Sequence, residues 1–301
     1  MRIFKCVTIF IIVFALVSCS KTRESQNRQS AAERREQLRL DSLALKVAVM
    51  PTLDCLPLYV AYEEELFKGQ DVDVRLKLYS SQMDCDTAMI RKRVELSFTD
   101  KLRASRMIRL GTPLQYLTET NAYWQLYSNR TVRIKRLNQL GDKMVAMSRY
   151  SATDYLTDAF LDTVKTKAQV FRIQINHVNL RLKMLLNNEM DALWLPEPQA
   201  TTARINKNLL LADSRSSGDK FGVIVVAGSV NKNSRRKKQL TSFVKAYNMA
   251  CDSINKYGLQ HYSTAIKKYC DTDDRTIKAL PRLVYTKVAP VVVASKLVNK
   301  Y

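Results

Sequence analysis

The sequence predicts an α/β protein of two similar lobes, each a mostly parallel sheet flanked by helices, with a cleft between them. Three observations predict it. Short apolar runs suited to buried strands alternate with helical segments from Leu45 to Thr118. The same rhythm restarts after the aromatic stretch Tyr123–Tyr127. A chain of 301 residues is also long for one core and suits two.

The elements follow in order. Leu45–Met50 is an apolar run fit for a buried parallel strand, and Pro51 breaks it. Thr52 or Asp54 caps a helix from about Cys55 to Phe67, which Lys68 and Gly69 end. Val72, Val74, Leu76 and Leu78 alternate as a second strand. Ser80 or Ser81 caps a helix running to about Arg93, Glu95–Thr99 is a third strand, and Asp100 starts the next helix. Leu114–Thr118 is again strand-like. In the second lobe Arg136–Leu140 reads as helix, Lys143–Met147 as strand, and Ser148–Thr153 as a hydroxyl-rich turn. Asp154–Val164 and Leu180–Asn187 read as helices, Val170–Ile175 and Met190–Leu195 as strands, with a break at Pro196–Pro198. Phe221–Ala227 is an apolar strand placed to return to the first lobe. Ser234–Lys256 is a long amphipathic helix, and helical segments follow, broken by Pro281 and Pro290.

The amino terminus carries an address. Arg2 and Lys5 form a basic head, and Val7–Val17 is apolar except for Thr8. That run is shorter than the ~20 residues a membrane-spanning helix needs, and has the length of a secretory h-region. It ends in Leu16, Val17, Ser18 and Cys19, a pattern that resembles a bacterial lipobox. The resemblance implies cleavage after residue 18 and acylation of Cys19, with several acyl chains holding stably where one binds marginally. The expected organisation is a signal peptide over 1–18, a polar tether over 19–44, the first lobe over 45–123, the second over 124–225, and a return strand with C-terminal helices over 226–301. The expected place is the bacterial envelope, on the periplasmic side.

A net charge of +21 suggests nucleic acid first. Against that, the basic residues are scattered, no nucleic-acid-binding signature accompanies them, and an exported lipoprotein rarely meets such a partner. Attraction to anionic lipid head groups or to an anionic solute are milder readings. Besides Cys19, the expected acylation site, four cysteines remain in the mature body: Cys55, Cys85, Cys251 and Cys270. Export favours disulfides, and Cys55/Cys85 with Cys251/Cys270 is the most local pairing. Four buried, unpaired thiols are the alternative. No Cys-x-x-Cys or clustered His is present, so neither a metal nor a cofactor is expected.

The ordered motifs resemble a known family. Val47–Asp54, Leu56–Ala61, Glu65–Phe67, Val72–Leu76 and Val94–Asp100 look like the opening of type 2 periplasmic substrate-binding proteins of ABC importers. Leu137–Ala146, Ser151–Tyr155 and Asp191–Pro198 look like the corresponding second-lobe motifs. The similarity extends over about Leu45–Leu297 and is nearest the branch that takes up sulfonates, nitrate or thiamine-pyrimidine precursors. This chain departs from the pattern at Glu65, at Gln70 and Asp71, and at Arg93, where glycine is usual.

The resemblance implies a monomeric receptor that closes on a small solute and hands it to a membrane permease. In such folds ligands sit beyond the carboxyl ends of the strands, near helix N-termini. From the first lobe this selects Thr52, Leu53, Asp54, Ser81, Gln82, Met83, Thr99 and Asp100. From the second it selects Ser148, Arg149, Ser151, Ala152, Thr153, Asn176, Trp194 and Glu197. Trp124 or Trp194 would stack on a flat ring, and Arg149 would pair with an anion. Asp54, Asp84, Asp86 and Asp100 lean toward a cationic or amino-bearing heterocycle. Each residue also has a plain structural role: the hydroxyls and Asp residues as helix caps, Trp194 as core, Arg149 as surface charge. Two other functions compete. One is an enzyme on the same fold, similar to some menaquinone-pathway enzymes. The other is an envelope interaction lipoprotein that no longer binds solute.

Overall fold

A computed structural model describes residues 30–289. The lipobox and Cys19 lie outside those residues, as do Pro290 and the chain beyond it. Residues 30–43, expected as part of a tether, form a helix (α1) that is a unit of its own, with most of its residues exposed. Among the described residues no helix is long and apolar enough to cross a membrane.

The folded body begins at Leu45 and holds two five-stranded sheets. The first comprises β1 (Leu45–Val49), β2 (Val74–Leu78), β3 (Leu96–Asp100), β4 (Leu114–Glu119) and β10 (Gly222–Ala227), in the order β2-β1-β3-β10-β4. The second comprises β5 (Gln125–Ser128), β6 (Met144–Met147), β7 (Phe171–Gln174), β8 (Ala192–Leu195) and β9 (Leu209–Asp213), in the order β7-β6-β8-β5-β9. The two orders correspond strand for strand. In each sheet one strand runs against the rest: β10 pairs antiparallel with β3 and β4, and β5 with β8 and β9. These are the strands by which the chain enters a lobe from the other one. β10 belongs wholly to the first sheet, so the boundary lies before Gly222 rather than after residue 225. β5 and β9 had no strand signal assigned to them, and the helix expected at Arg136–Leu140 is a single 3-10 turn, Leu137–Leu140.

Side-chain alternation along β1 explains the layering of the first lobe. Val47 and Val49 point into one apolar cluster; Ala48 and Met50 point into another. The first cluster is covered by α2 (Leu56–Glu63), α3 (Leu66–Gly69) and α9 (Ser234–Tyr257), with Phe67, Phe243 and Tyr247 stacked at its centre. The second is covered by α4 (Gln82–Ile90) and α5 (Lys101–Arg109). In the second lobe, α6 (Ala152–Leu161) covers one sheet face, and α7 (Val178–Leu186) and α8 (Gln199–Ile205) the other. α10 (Ser263–Cys270) packs on α2, and α11 (Asp274–Ala279) on α8.

The missing glycines have a backbone consequence. The helix expected through Phe67 breaks at Glu65, which takes a left-handed φ of 54°, and Asp71 does the same at 53°; Gln70 and Arg93 do not. These two turns hold a left-handed backbone without glycine, at a cost of about 1 kcal/mol each.

The expected disulfides are absent: Cys55, Cys85, Cys251 and Cys270 are all free and buried. Cys55 sits in the cluster under α2, whereas Cys85 sits in the cluster on the other side of β1. Cys251 lies inside α9, its thiol directed at the Thr286 carbonyl at 3.9 Å, and Cys270 closes α10. They serve as small apolar core residues.

Candidate functional site

Two chain segments join the lobes, and they run side by side. Trp124 and Ser214 exchange hydrogen bonds, N–H to Oγ and N–H to carbonyl, both at 2.9 Å. Thr120 N–H donates to the Gly222 carbonyl at 2.9 Å. Gly222 is required there, because a Cβ would lie 2.2 Å from Thr120 Oγ1 and 2.6 Å from Ala122 Cβ. Tyr123 between them donates its hydroxyl to Glu197 at 2.8 Å and lies under the Arg215 guanidinium, 4.1 Å from its ring centre.

Beyond this hinge the lobes are closed on each other. Leu53 N–H donates to the Glu197 carbonyl at 2.9 Å, and Gln199 Nε2 to the Pro51 carbonyl at 2.8 Å. Val178 N–H donates to the Ser80 carbonyl at 3.2 Å, beside a bridge between Ser81 and His177. Arg103 crosses from α5 to the Arg149 carbonyl at 3.1 Å, and the Asp100 carboxylate accepts the Ala152 N–H.

A cavity of about 50 Å³ remains between them, at the carboxyl ends of the strands. From the first lobe Met50, Thr52, Asp54, Gln82, Thr99 and Asp100 line it. Ala122 and Trp124 line it from the hinge; Ser148, Ser151, Thr153, Asn176, Arg181 and Pro196 from the second lobe. Ser151 caps α6 by accepting the Thr153 N–H, and its Oγ donates to the Ser148 carbonyl at 2.6 Å. Gln82 is held by the Phe98 carbonyl at 2.8 Å. Asp54 is partly covered; burial raises its carboxyl above the ordinary value, opposed by hydrogen bonds from Thr52, its own and the Cys55 backbone, and Thr120.

Asp86, Asp100 and Arg103 form a buried cluster beneath one wall. Arg103 Nη1 meets Asp86 at 2.5 Å, and its Nε lies 3.8 Å from Asp100. Asp100 also caps α5, accepting the Arg103 N–H at 3.0 Å. Burial raises the Asp86 carboxyl despite the adjacent guanidinium, and lifts Asp100 to about 6.

The remaining expected residues do other work. Trp194 is fully enclosed in the second-lobe core, donating Nε1–H to Thr157 at 2.9 Å. Glu197 is buried and committed to Tyr123 and to the Thr201 N–H. The Arg149 side chain is exposed, and the cavity does not include it. Ser81 caps α4, exchanging hydrogen bonds with Asp84, while Met83 lies mostly outside and accepts from Asn176 at 3.8 Å. Leu53 and Ala152 bury their side chains in the cores of the first and second lobes, and neither lines the cavity.

Arg181 was missed. It follows the second-lobe cleft motif at ordinary helical spacing, and nothing local marks it. The only pattern pointing to it is a cation on the inward side of a helix that starts at the cleft.

Comparison with known proteins fits this geometry. The NMT1/THI5-like family model matches residues 52–257. The chain belongs to the NMT1/THI5-like family. No curated protein sequence matches it. Among solved structures, this family member is similar to the ligand-binding component of an ABC-type import system from Staphylococcus aureus with zinc bound: TM-score 0.68, 13% identity, 81% of this chain and 86% of that one. The alkanesulfonate-binding protein SsuA from Xanthomonas axonopodis pv. citri, bound to MOPS, gives 0.66 at 13% identity over 82% and 87%. The nitrate-binding NrtA from Synechocystis PCC 6803 gives 0.65 at 12% over 77% and 68%. The shared feature is the two-lobed periplasmic binding protein fold. Among the described residues, no group of three or more His, Cys, Asp or Glu is placed to hold a metal ion.

Proposed function

We propose that this family member is the solute-binding receptor of an ABC importer, held to the membrane through acylated Cys19. It closes its lobes on a small polar organic molecule and delivers it to a permease. The observation that carries this reading is the closed cleft: direct interlobe hydrogen bonds surround a cavity lined by hydroxyls and amides from both lobes and by carboxylates from the first. Such bonds form only when the lobes meet, so a solute that bridges the same walls shifts the balance toward closure. The binding roles of the sulfonate and nitrate neighbours support the same reading.

A thiol enzyme is disfavoured by the chemistry of its nucleophile. Burial raises the Cys55 and Cys85 thiols far above their ordinary value, the reverse of an activated thiolate. His177 is engaged in capping α7 through Nδ1, and His261 stacks between Tyr257 and Tyr262. The test is thermal stabilisation of the full chain against sulfonates, carboxylates, pyrimidines, amino acids and inorganic anions. A ligand at one hundred times its Kd adds about 2.7 kcal/mol, a shift of several degrees. No shift from any class ends the receptor reading.

A further inference from the structure

Among the described residues, Arg181 is a buried cation with no ion-pair partner. Arg181 lies one turn into α7, is 4% exposed, and lines the cavity. Its Nε and Nη1 are buried with no hydrogen-bond partner. The charge that bears on it is Arg103, another cation, itself paired with Asp86. Buried guanidinium groups are ordinarily paired, because an isolated charge out of water is strongly unfavourable. Burial lowers the Arg181 pKa to about 10, which leaves it charged at neutral pH.

We propose that Arg181 holds a compact oxyanion group of the solute, a carboxylate, sulfonate or phosphate, and that the solute carries a hydrogen-bond-donating group, such as an amine, at its other end. The proposal rests on the receptor reading. A planar or tetrahedral oxyanion in the cavity would supply the counter-charge that this guanidinium lacks. The second requirement follows from the opposite wall. Asp54 and Asp100, both carboxylates of the first lobe, face the same cavity. The cleft is therefore cationic on one side and acidic on the other, and a bipolar molecule spans it with both ends matched. The cavity of about 50 Å³ holds only a few waters, so the anionic end is compact.

The test uses the full chain in detergent with four probes: taurine, methanesulfonate, methanesulfonamide and ethylamine. Melting temperature and tryptophan fluorescence are read. The expected order of stabilisation is taurine above methanesulfonate, with no shift from the amide or the amine. Arg181→Met is expected to weaken taurine at least tenfold, with Arg181→Lys recovering part of the loss. Without ligand, Arg181→Met is expected to melt no lower than the unsubstituted chain, because it removes an unpaired buried charge. A markedly lower melting temperature for both Arg181→Met and Arg181→Gln would assign Arg181 to structure and overturn the proposal. Retained taurine binding in Arg181→Met overturns it too. If the unsubstituted chain responds to cations or neutral solutes but not to anions, this inference fails and the receptor reading stands. If it responds to no solute of the wider panel, both fail.

Discussion

Replacing Arg103 with methionine tests the buried charge cluster and the closure of the lobes together. Methionine keeps much of the volume and removes the cation. Asp86 and Asp100, both nearly inaccessible, are then left facing each other's field without it. Removing one partner of a buried ion pair typically costs about 3–5 kcal/mol. For a body of this size that is a fall in Tm of roughly 6–20 °C. The variant also loses the bond to the Arg149 carbonyl, one of the contacts that hold the lobes together. Burial already raises both carboxyls with Arg103 present, so both rise further without it. A carboxyl whose pKa is raised in the folded state destabilises fully above that pKa, and the penalty fades as pH falls toward the unfolded value. The deficit relative to the unsubstituted chain is therefore largest at pH 7 and above and shrinks toward pH 5. Each carboxyl that takes up a proton over that window recovers up to about 2.7 kcal/mol. Circular-dichroism melts at pH 5, 6 and 7.5 read the difference, and small-angle scattering reads any opening. A Tm within 2 °C of the unsubstituted chain at pH 7.5, or a deficit that grows toward pH 5, refutes the reasoning.

Two further outcomes are expected. Gly222→Ala forces its methyl into Thr120 and Ala122 at the hinge, and overpacking of this kind costs about 1–3 kcal/mol, or roughly 2–12 °C in Tm; an unchanged melt would mean that the crossover segments yield freely. In the unreduced native protein, Cys55, Cys85, Cys251 and Cys270 resist a thiol reagent, and all four react after unfolding without reductant; mass spectrometry finding a bridged pair instead would restore the disulfide expectation.

Much of the fold was legible because its signals are local. Strand–helix alternation, Pro51 after β1, and the caps Ser81, Asp100 and Ser151 are written in short windows, and those three side chains do cap α4, α5 and α6. β5 was not legible because it is four residues long with polar Gln125 and Ser128 at its ends; β9 was missed although Leu209–Ala212 is apolar, because its strand partner β5 lies more than 80 residues away in the chain. The site divided along the same line. Thr52, Asp54, Gln82, Thr99, Ser148, Ser151 and Thr153 follow strand ends, and strand ends define the cleft. Trp194 lies within β8, where alternation turns it into the core. Arg149 and Arg181 were indistinguishable as sequence. Only the packing of α7 against the other lobe buries the second and leaves the first in water.

The position of β10 decides the order in which the body becomes complete. Among the described residues β4 has no neighbour in its sheet except β10, and β10 pairs Gly222 with Asp100, more than a hundred residues earlier. As the chain emerges amino end first, the earlier lobe waits with β3 and β4 unpaired along facing edges. The later lobe needs only residues 125–213 to fill its five strands. The second lobe therefore finishes first, and the first closes when β10 slots between two strands made long before. During that interval the open edges are the chain's most exposed point for pairing with another molecule.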